Sequence, residues 1–220
     1  MIDELHRRHF IVRAATGLLA WHGAAATAQA LAAPRAPVIL VLGDSLSAEY
    51  GLARGTGWVA LLEKQLTEEK PGARVFNASV SGETTSGGRS RLAALLAQHR
   101  PSLVLIELGA NDALRGLPLK NTEENLDWMT QTAQQAGAQV LLLGMQIPPN
   151  YGADYAKRFA RLFVSVAQTR KAALVPFLLA GVADAADPAR LFQPDRMHPR
   201  AEAQPQMLAN VWPQLRKLLR

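Results

Sequence analysis

Five short apolar runs alternate with stretches whose apolar residues recur at helical spacing, and this alternation constrains the fold of the 220-residue chain more than any other feature. The runs are PVILVLG (37–43), ARVFNASV (73–80), SLVLIELG (102–109), AQVLLLGM (138–145) and AALVPF (172–177). Most lack the polar alternation of a half-exposed strand, as strands buried on both faces do. Between them, Trp58, Leu61, Leu62 and Leu66 share one helical face, followed by helical stretches at 90–99 and 121–136. Tyr155, Phe159, Leu162, Phe163 and Val166 mark a fourth helix, and a last one runs from about Ala201 to Leu219. Its Leu208, Val211, Trp212, Leu215 and Leu219 fall on one side. Strands that alternate with helices predict an α/β domain in three layers, α/β/α, with right-handed crossovers over a five-stranded parallel sheet. Ligands of such sheets bind at the carboxyl ends of the strands. The connections after Leu42, Val80 and Leu108 are rich in Gly, Ser, Asn and Asp, so the site is expected there.

A domain of this length typically buries about 70% of its unfolded surface, enough to fold without disulfides or a metal. The chain has no cysteine, which excludes a disulfide framework, a zinc–cysteine site, an iron–sulfur cluster and a cysteine nucleophile. The net charge of +6 is spread without a Lys/Arg block and reads as a solvated surface, with no nucleic-acid partner expected. Arg216, Lys217 and Arg220 near the C-terminus are candidates for transient contact with anionic lipid. No obligate protein partner is expected.

Residues 1–30 read as a secretory signal peptide: basic Arg7, Arg8 and Arg13, a moderately apolar stretch, then small residues suited to cleavage near Ala28, Ala30 or Ala32. Arg7-Arg8-His9-Phe10-Ile11 resembles a twin-arginine export signal. The expected location is periplasmic or secreted; the alternative for this segment is an amphipathic helix packed on the domain. Cleavage after Ala30 leaves a domain of residues 31–220 whose histidines are His99 and His198.

Gly43-Asp44-Ser45-Leu46-Ser47 follows the first strand, where a turn can present the Ser45 hydroxyl beside a helix N-terminus that favours developing negative charge. The alternative for Ser45 is an ordinary helix cap. A serine nucleophile needs a base. His99 closes a helix, where histidine usually partners the last carbonyls. His198 lies in Asp195-Arg196-Met197-His198, a spacing that can bring the carboxylate onto Nδ1 and leave Nε2 free to take a proton. Oxyanion donors are available as the Gly82 N–H in Ser81-Gly82-Glu83 and the Asn111 amide in Gly109-Ala110-Asn111-Asp112, although both residue types also populate ordinary turns. GETTSGGRS (82–90) lacks the Lys-Ser/Thr ending of a phosphate loop, and no HExxH is present; neither metal nor cofactor is expected.

Ser45 in GDSL, Gly82, Asn111 in GxND and His198 in DxxH, in that order, resemble the GDSL or SGNH hydrolase family over about residues 37–219. VLGDSLSAEYGL, LIELGANDALRG and DRMHPRAEAQP look most like its bacterial group of thioesterase I/protease I/lysophospholipase L1 and arylesterases. The resemblance implies a flavodoxin-like sheet ordered 2-1-3-4-5 and a catalytic set of Ser45, Asp195 and His198. It also implies an oxyanion hole from the Ser45 N–H, the Gly82 N–H and the Asn111 side chain. The expected activity is hydrolysis of acyl esters and thioesters, with Leu, Met and Pro in segments 114–119 and 143–149 offering an apolar acyl pocket. The alternatives are a carbohydrate O-deacetylase on the same scaffold and a non-catalytic lipid- or glycan-binding protein. Two positions depart from the family pattern: Glu49, in place of a frequent glycine, is expected to add charge at the mouth of the site, and Ala110 to alter the pocket floor.

Overall fold

The computed structural model describes residues 36–219, so the expected signal peptide lies outside the described residues. Strands β1 (Val38–Gly43), β2 (Arg74–Asn77), β3 (Leu103–Glu107), β4 (Gln139–Leu143) and β5 (Ala173–Val175) form one all-parallel sheet in the order β2-β1-β3-β4-β5. The helices are α1 (Trp58–Glu69), α2 (Thr85–His99), α3 (Ala110–Leu114), α4 (Leu119–Gln135), α5 (Ala153–Arg170) and α6 (Gln204–Leu218). Helices α2, α4 and α5 pack side by side as one layer, and α1 with α6 as the other. Every residue of β3 is buried, as are Ile39 through Gly43 of β1, so the two central strands are the near-continuous apolar runs that a doubly covered sheet requires. Trp58, Leu62 and Leu66 of α1, Phe159 and Phe163 of α5, and Met207, Val211 and Leu215 of α6 close the core from the two sides.

The strand order reverses between β1 and β3, and the connections leaving β1, β2 and β3 meet at this switch point. Three elements differ from the sequence expectation there. Helix α2 begins at Thr85 rather than at 90, through Ser86, Gly87 and Gly88, residues that disfavour helix. Tertiary contacts override that preference. Thr85 donates its N–H and hydroxyl to the buried Asp112 carboxylate, and a Cβ on Gly88 would collide with Leu108 Cδ1, so glycine lets the helix lie close on the sheet. The short α3 is unannounced by periodicity because five residues hold barely one turn. β2 is shorter than the run 73–80, although the N–H groups of Ala78 and Val80 continue the ladder to the carbonyls of Val41 and Gly43. The last helix is preceded by a 3₁₀ turn at Ala201–Ala203.

Candidate active site

Gly43 ends β1 opposite Glu107 of β3, and a Cβ there would stand 2.8 Å from the Ser47 hydroxyl and 2.9 Å from the Glu107 carboxylate. Glycine therefore makes room for two polar groups directly behind the following turn. Ser45 opens that turn. The helix N-terminus expected beside it is absent, because the chain runs through successive turns, with Ala48 N–H donating to the Asp44 carbonyl and Tyr50 N–H to that of Ser45, and α1 starts only at Trp58. The Ser45 hydroxyl is thus not a helix cap. It lies 2.9 Å from His198 Nε2.

His198 sits in a loop shaped from both ends. An antiparallel bridge pairs Phe192 with Pro199, and Gln193 N–H donates to the His198 carbonyl. The Gln193 side chain also donates to the carbonyls of Tyr50 and Pro199, which ties this loop to the Ser45 turn. Asp195 Oδ2 is 2.7 Å from His198 Nδ1, and Oδ1 accepts the N–H groups of Met197 and His198. Partial burial works against ionising Asp195, but the His198 hydrogen bond and those two N–H groups outweigh it and bring the carboxyl down to about 2. The Tyr50 ring, half exposed, leans on the imidazole with centroids 4.3 Å apart. His99 is excluded from this site: it ends α2 with its ring against Phe76.

The two other expected donors come from the β2 and β3 connections. Gly82 has φ +78°, a left-handed conformation that favours glycine, and its carbonyl accepts a hydrogen bond from Arg115. Among the described residues, neither the Gly82 nor the Ser45 N–H is taken by a protein acceptor. Asn111 occupies the first turn of α3 and directs Nδ2 at Asp44 Oδ2 and at the Glu83 carbonyl, each at 3.0 Å. Glu83 is itself held by an ion pair with Arg91. Gln193 lies outside the motifs quoted above, and Glu83 and Arg115 lie within them without a role assigned from the sequence.

A cleft opens beside Ser45 and His198, lined by Leu46, Ala110, Leu114, Met145, Ile147, Pro148, Leu179 and Phe192, among others. The expected segments contribute Leu114, Met145, Ile147 and Pro148; Leu117 and Leu119 point elsewhere, and Leu179, Ala183 and Phe192 join from beyond β5. Ala110 does lie on the cleft wall. Glu49 does not line the cleft: at φ +59° it turns its carboxylate to the N–H groups of Gly55 and Gly57, so the charge expected at the mouth is spent on the loop backbone. Its left-handed φ is the physical reason that glycine suits the position. Among the described residues, no cluster of metal-ligating side chains occurs.

A parallel α/β sheet that brings a serine hydroxyl, an imidazole and a carboxylate into one hydrogen-bonded chain at its switch point has the layout of a serine hydrolase. Residues 41–204 match the GDSL-like Lipase/Acylhydrolase family, and the chain belongs to it, as an SGNH hydrolase of the esterase and thioesterase class. It is 51% identical to Esterase TesA of Pseudomonas aeruginosa over 84% of this chain and 90% of that protein. It is 39% identical to thioesterase 1/protease 1/lysophospholipase L1 of Escherichia coli over 79% of this chain and 80% of the other. The crystal structure of the psychrotrophic esterase EstA from a Pseudoalteromonas species, inhibited by monoethylphosphonate, superposes with a TM-score of 0.78. That match has 42% identity and covers 83% of this chain and 98% of that one.

Proposed function

We propose that the protein hydrolyses acyl esters and thioesters through an acyl-enzyme on Ser45, with medium or long apolar acyl chains in the cleft. The observation that carries the reading is the unbroken chain Asp195 Oδ2 to His198 Nδ1, 2.7 Å, and His198 Nε2 to Ser45 Oγ, 2.9 Å. In this reading Ser45 attacks the acyl carbonyl as His198 Nε2 takes its proton, and Asp195 holds the imidazole in the productive tautomer and stabilises the imidazolium. The carbonyl oxygen becomes an oxyanion within reach of the Ser45 N–H, the Gly82 N–H and the Asn111 amide. His198 then protonates the leaving alcohol or thiol. Water, deprotonated by the same imidazole, cleaves the acyl-enzyme and restores Ser45.

The names of the relatives, an esterase and a thioesterase/lysophospholipase, support this substrate class. The apolar part of the cleft wall, with Leu46, Leu114, Met145, Ile147, Leu179 and Phe192, supports an acyl chain longer than acetyl. The basic, then apolar, then small-residue order of positions 1–30 supports an activity outside the cytoplasm. The test is the set of initial rates on p-nitrophenyl esters from acetyl to palmitoyl, with Ser45→Ala beside each. Turnover of medium or long chains that disappears in the variant is the expected result. Activity confined to acetyl would favour the deacetylase, and no Ser45-dependent turnover from folded protein would leave a binding protein.

A further inference from the structure

Two carboxyl groups that take no part in this reaction lie directly behind the nucleophile. Glu107 is fully buried and Asp44 1% exposed. Glu107 Oε2 accepts the Asp44 N–H at 3.2 Å and the Ser47 hydroxyl at 2.8 Å, while its Oε1 has no donor. Asp44 Oδ1 accepts the Leu46 N–H at 3.0 Å, and Oδ2 accepts Asn111 Nδ2. Both Asp44 oxygens therefore face donors, as an ionised carboxylate requires. Asp44 and Glu107 are buried side by side, with the Asp44 N–H on Glu107 Oε2, and two buried carboxyl groups this near each other cannot both ionise, so the pair keeps one proton.

We propose that Asp44 and Glu107 are positioning residues: one proton shared between them keeps Asp44 an acceptor, and Asp44 in turn clamps the Asn111 amide in its oxyanion-donating orientation. The inference rests on the reading of Asn111 as an oxyanion donor. Both protons of Asn111 Nδ2 are already directed at acceptors, Asp44 and the Glu83 carbonyl. An oxyanion is a third acceptor, and one resting bond must be shared with it. The bond to a carboxylate is the stronger of the two, so it holds while the N–H aimed at the neutral Glu83 carbonyl turns to the oxyanion. Burial first, and the neighbouring Asp44 charge second, raise the Glu107 carboxyl well above the carboxylate range, which agrees with a single proton on the pair. That proton also leaves one negative charge rather than two behind the oxyanion.

Infrared spectroscopy and kinetics test this on the full-length protein. Near neutral pH the wild type should show the carbonyl band of one protonated buried carboxyl, and Glu107→Gln should lose it; a wild type without such a band overturns the shared proton. Glutamine can still accept from Asp44 N–H and Ser47 and is neutral, so Glu107→Gln should keep kcat within about threefold and Glu107→Ala should lose at least about tenfold. Equal losses in the two would overturn the role of a neutral Glu107. Asp44→Asn, measured per active site titrated with a phosphonate, should lower kcat about 10- to 100-fold with little change in KM. In the double variant Asp44→Asn/Asn111→Ala the loss should be no greater than in Asn111→Ala alone, because Asp44 acts through Asn111; losses that multiply would refute the clamp. If Asn111→Ala alone keeps wild-type kcat, the oxyanion assignment itself fails, and the clamp fails with it. Wild-type kcat in Asp44→Asn beside a damaged Asn111→Ala sinks the clamp and leaves that assignment intact.

Discussion

Replacing Asp44 with asparagine should stabilise the protein at neutral pH relative to its stability in acid, although the residue sits in the family motif. Burial first raises the Asp44 carboxyl, and the Leu46 N–H, the Glu107 side chain, the His198 charge and the Asn111 amide only partly offset it, leaving it at about 6 against an ordinary 3.8. An acid whose pKa is raised on folding binds more protons in the native than in the unfolded state between those two values, so stability falls as pH rises through that window. At about 1.4 kcal/mol per unit, a shift of about 2 units costs about 3 kcal/mol once the pH exceeds 6. Roughly 2 kcal/mol of this develops between pH 4 and pH 7.5. Glu107, raised by burial and by the Asp44 charge, is relieved in the same direction when Asp44 is neutralised. The substitution also sets one amide against another at Asn111, but that cost does not depend on pH and cancels when two pH values are compared. Urea denaturation of wild type and Asp44→Asn at pH 4 and 7.5 is the assay. With an m-value of about 2 kcal/mol per molar, the midpoint difference between the proteins should change by about 1 M in favour of the variant at the higher pH. A difference that is the same at both pH values would refute the reasoning, because Asp44 would then have no raised pKa in the native state.

Three further outcomes follow from contacts already described. Asp195→Asn keeps an oxygen for the Met197 and His198 N–H groups but sets the wrong tautomer on His198, so kcat should fall by about 10⁴-fold without loss of fold, and full activity would reduce Asp195 to a loop cap. Glu49→Ala should lower the unfolding temperature more than Glu49→Gly, since both lose the bonds to Gly55 and Gly57 but alanine keeps about 1–2 kcal/mol of left-handed strain; equal temperatures would show that the strain is absent. Gly88→Ala drives a Cβ into Leu108 Cδ1 and should destabilise by about 1–3 kcal/mol in chemical denaturation, and a neutral result would mean that α2 can retreat from β3 freely.

The strand runs and the four loop motifs are legible in the chain because they depend on local patterns. Apolar continuity marks a strand buried on both faces, and a strand followed by glycine and small polar residues marks a loop at the sheet edge. The start of α2 is not legible, because Thr85, Gly87 and Gly88 disfavour helix until Asp112 and Leu108 hold them. The environment of Glu49 departs from expectation for a related reason: its left-handed backbone, which directs the carboxylate inward to Gly55 and Gly57, is set by the loop's closure.

Sequence by itself determined the layer architecture and the parallel sheet, since periodicity is a property of the chain alone, and its likeness to the family singled out Ser45, Gly82, Asn111, Asp195 and His198 as candidates. Tertiary structure alone decided which groups meet. Ser45 and His198 are 153 positions apart and touch at 2.9 Å because the fold brings the β1 turn and the loop after β5 together, with Gln193 tying one to the other. Asp44 and Glu107, a carboxylate in a motif and an acid hidden in an apolar strand, become one buried pair only because β1 and β3 are neighbours in the sheet. Hydrogen bonds and desolvation depend on distances of a few ångströms between segments far apart in the chain, and only the fold sets those distances.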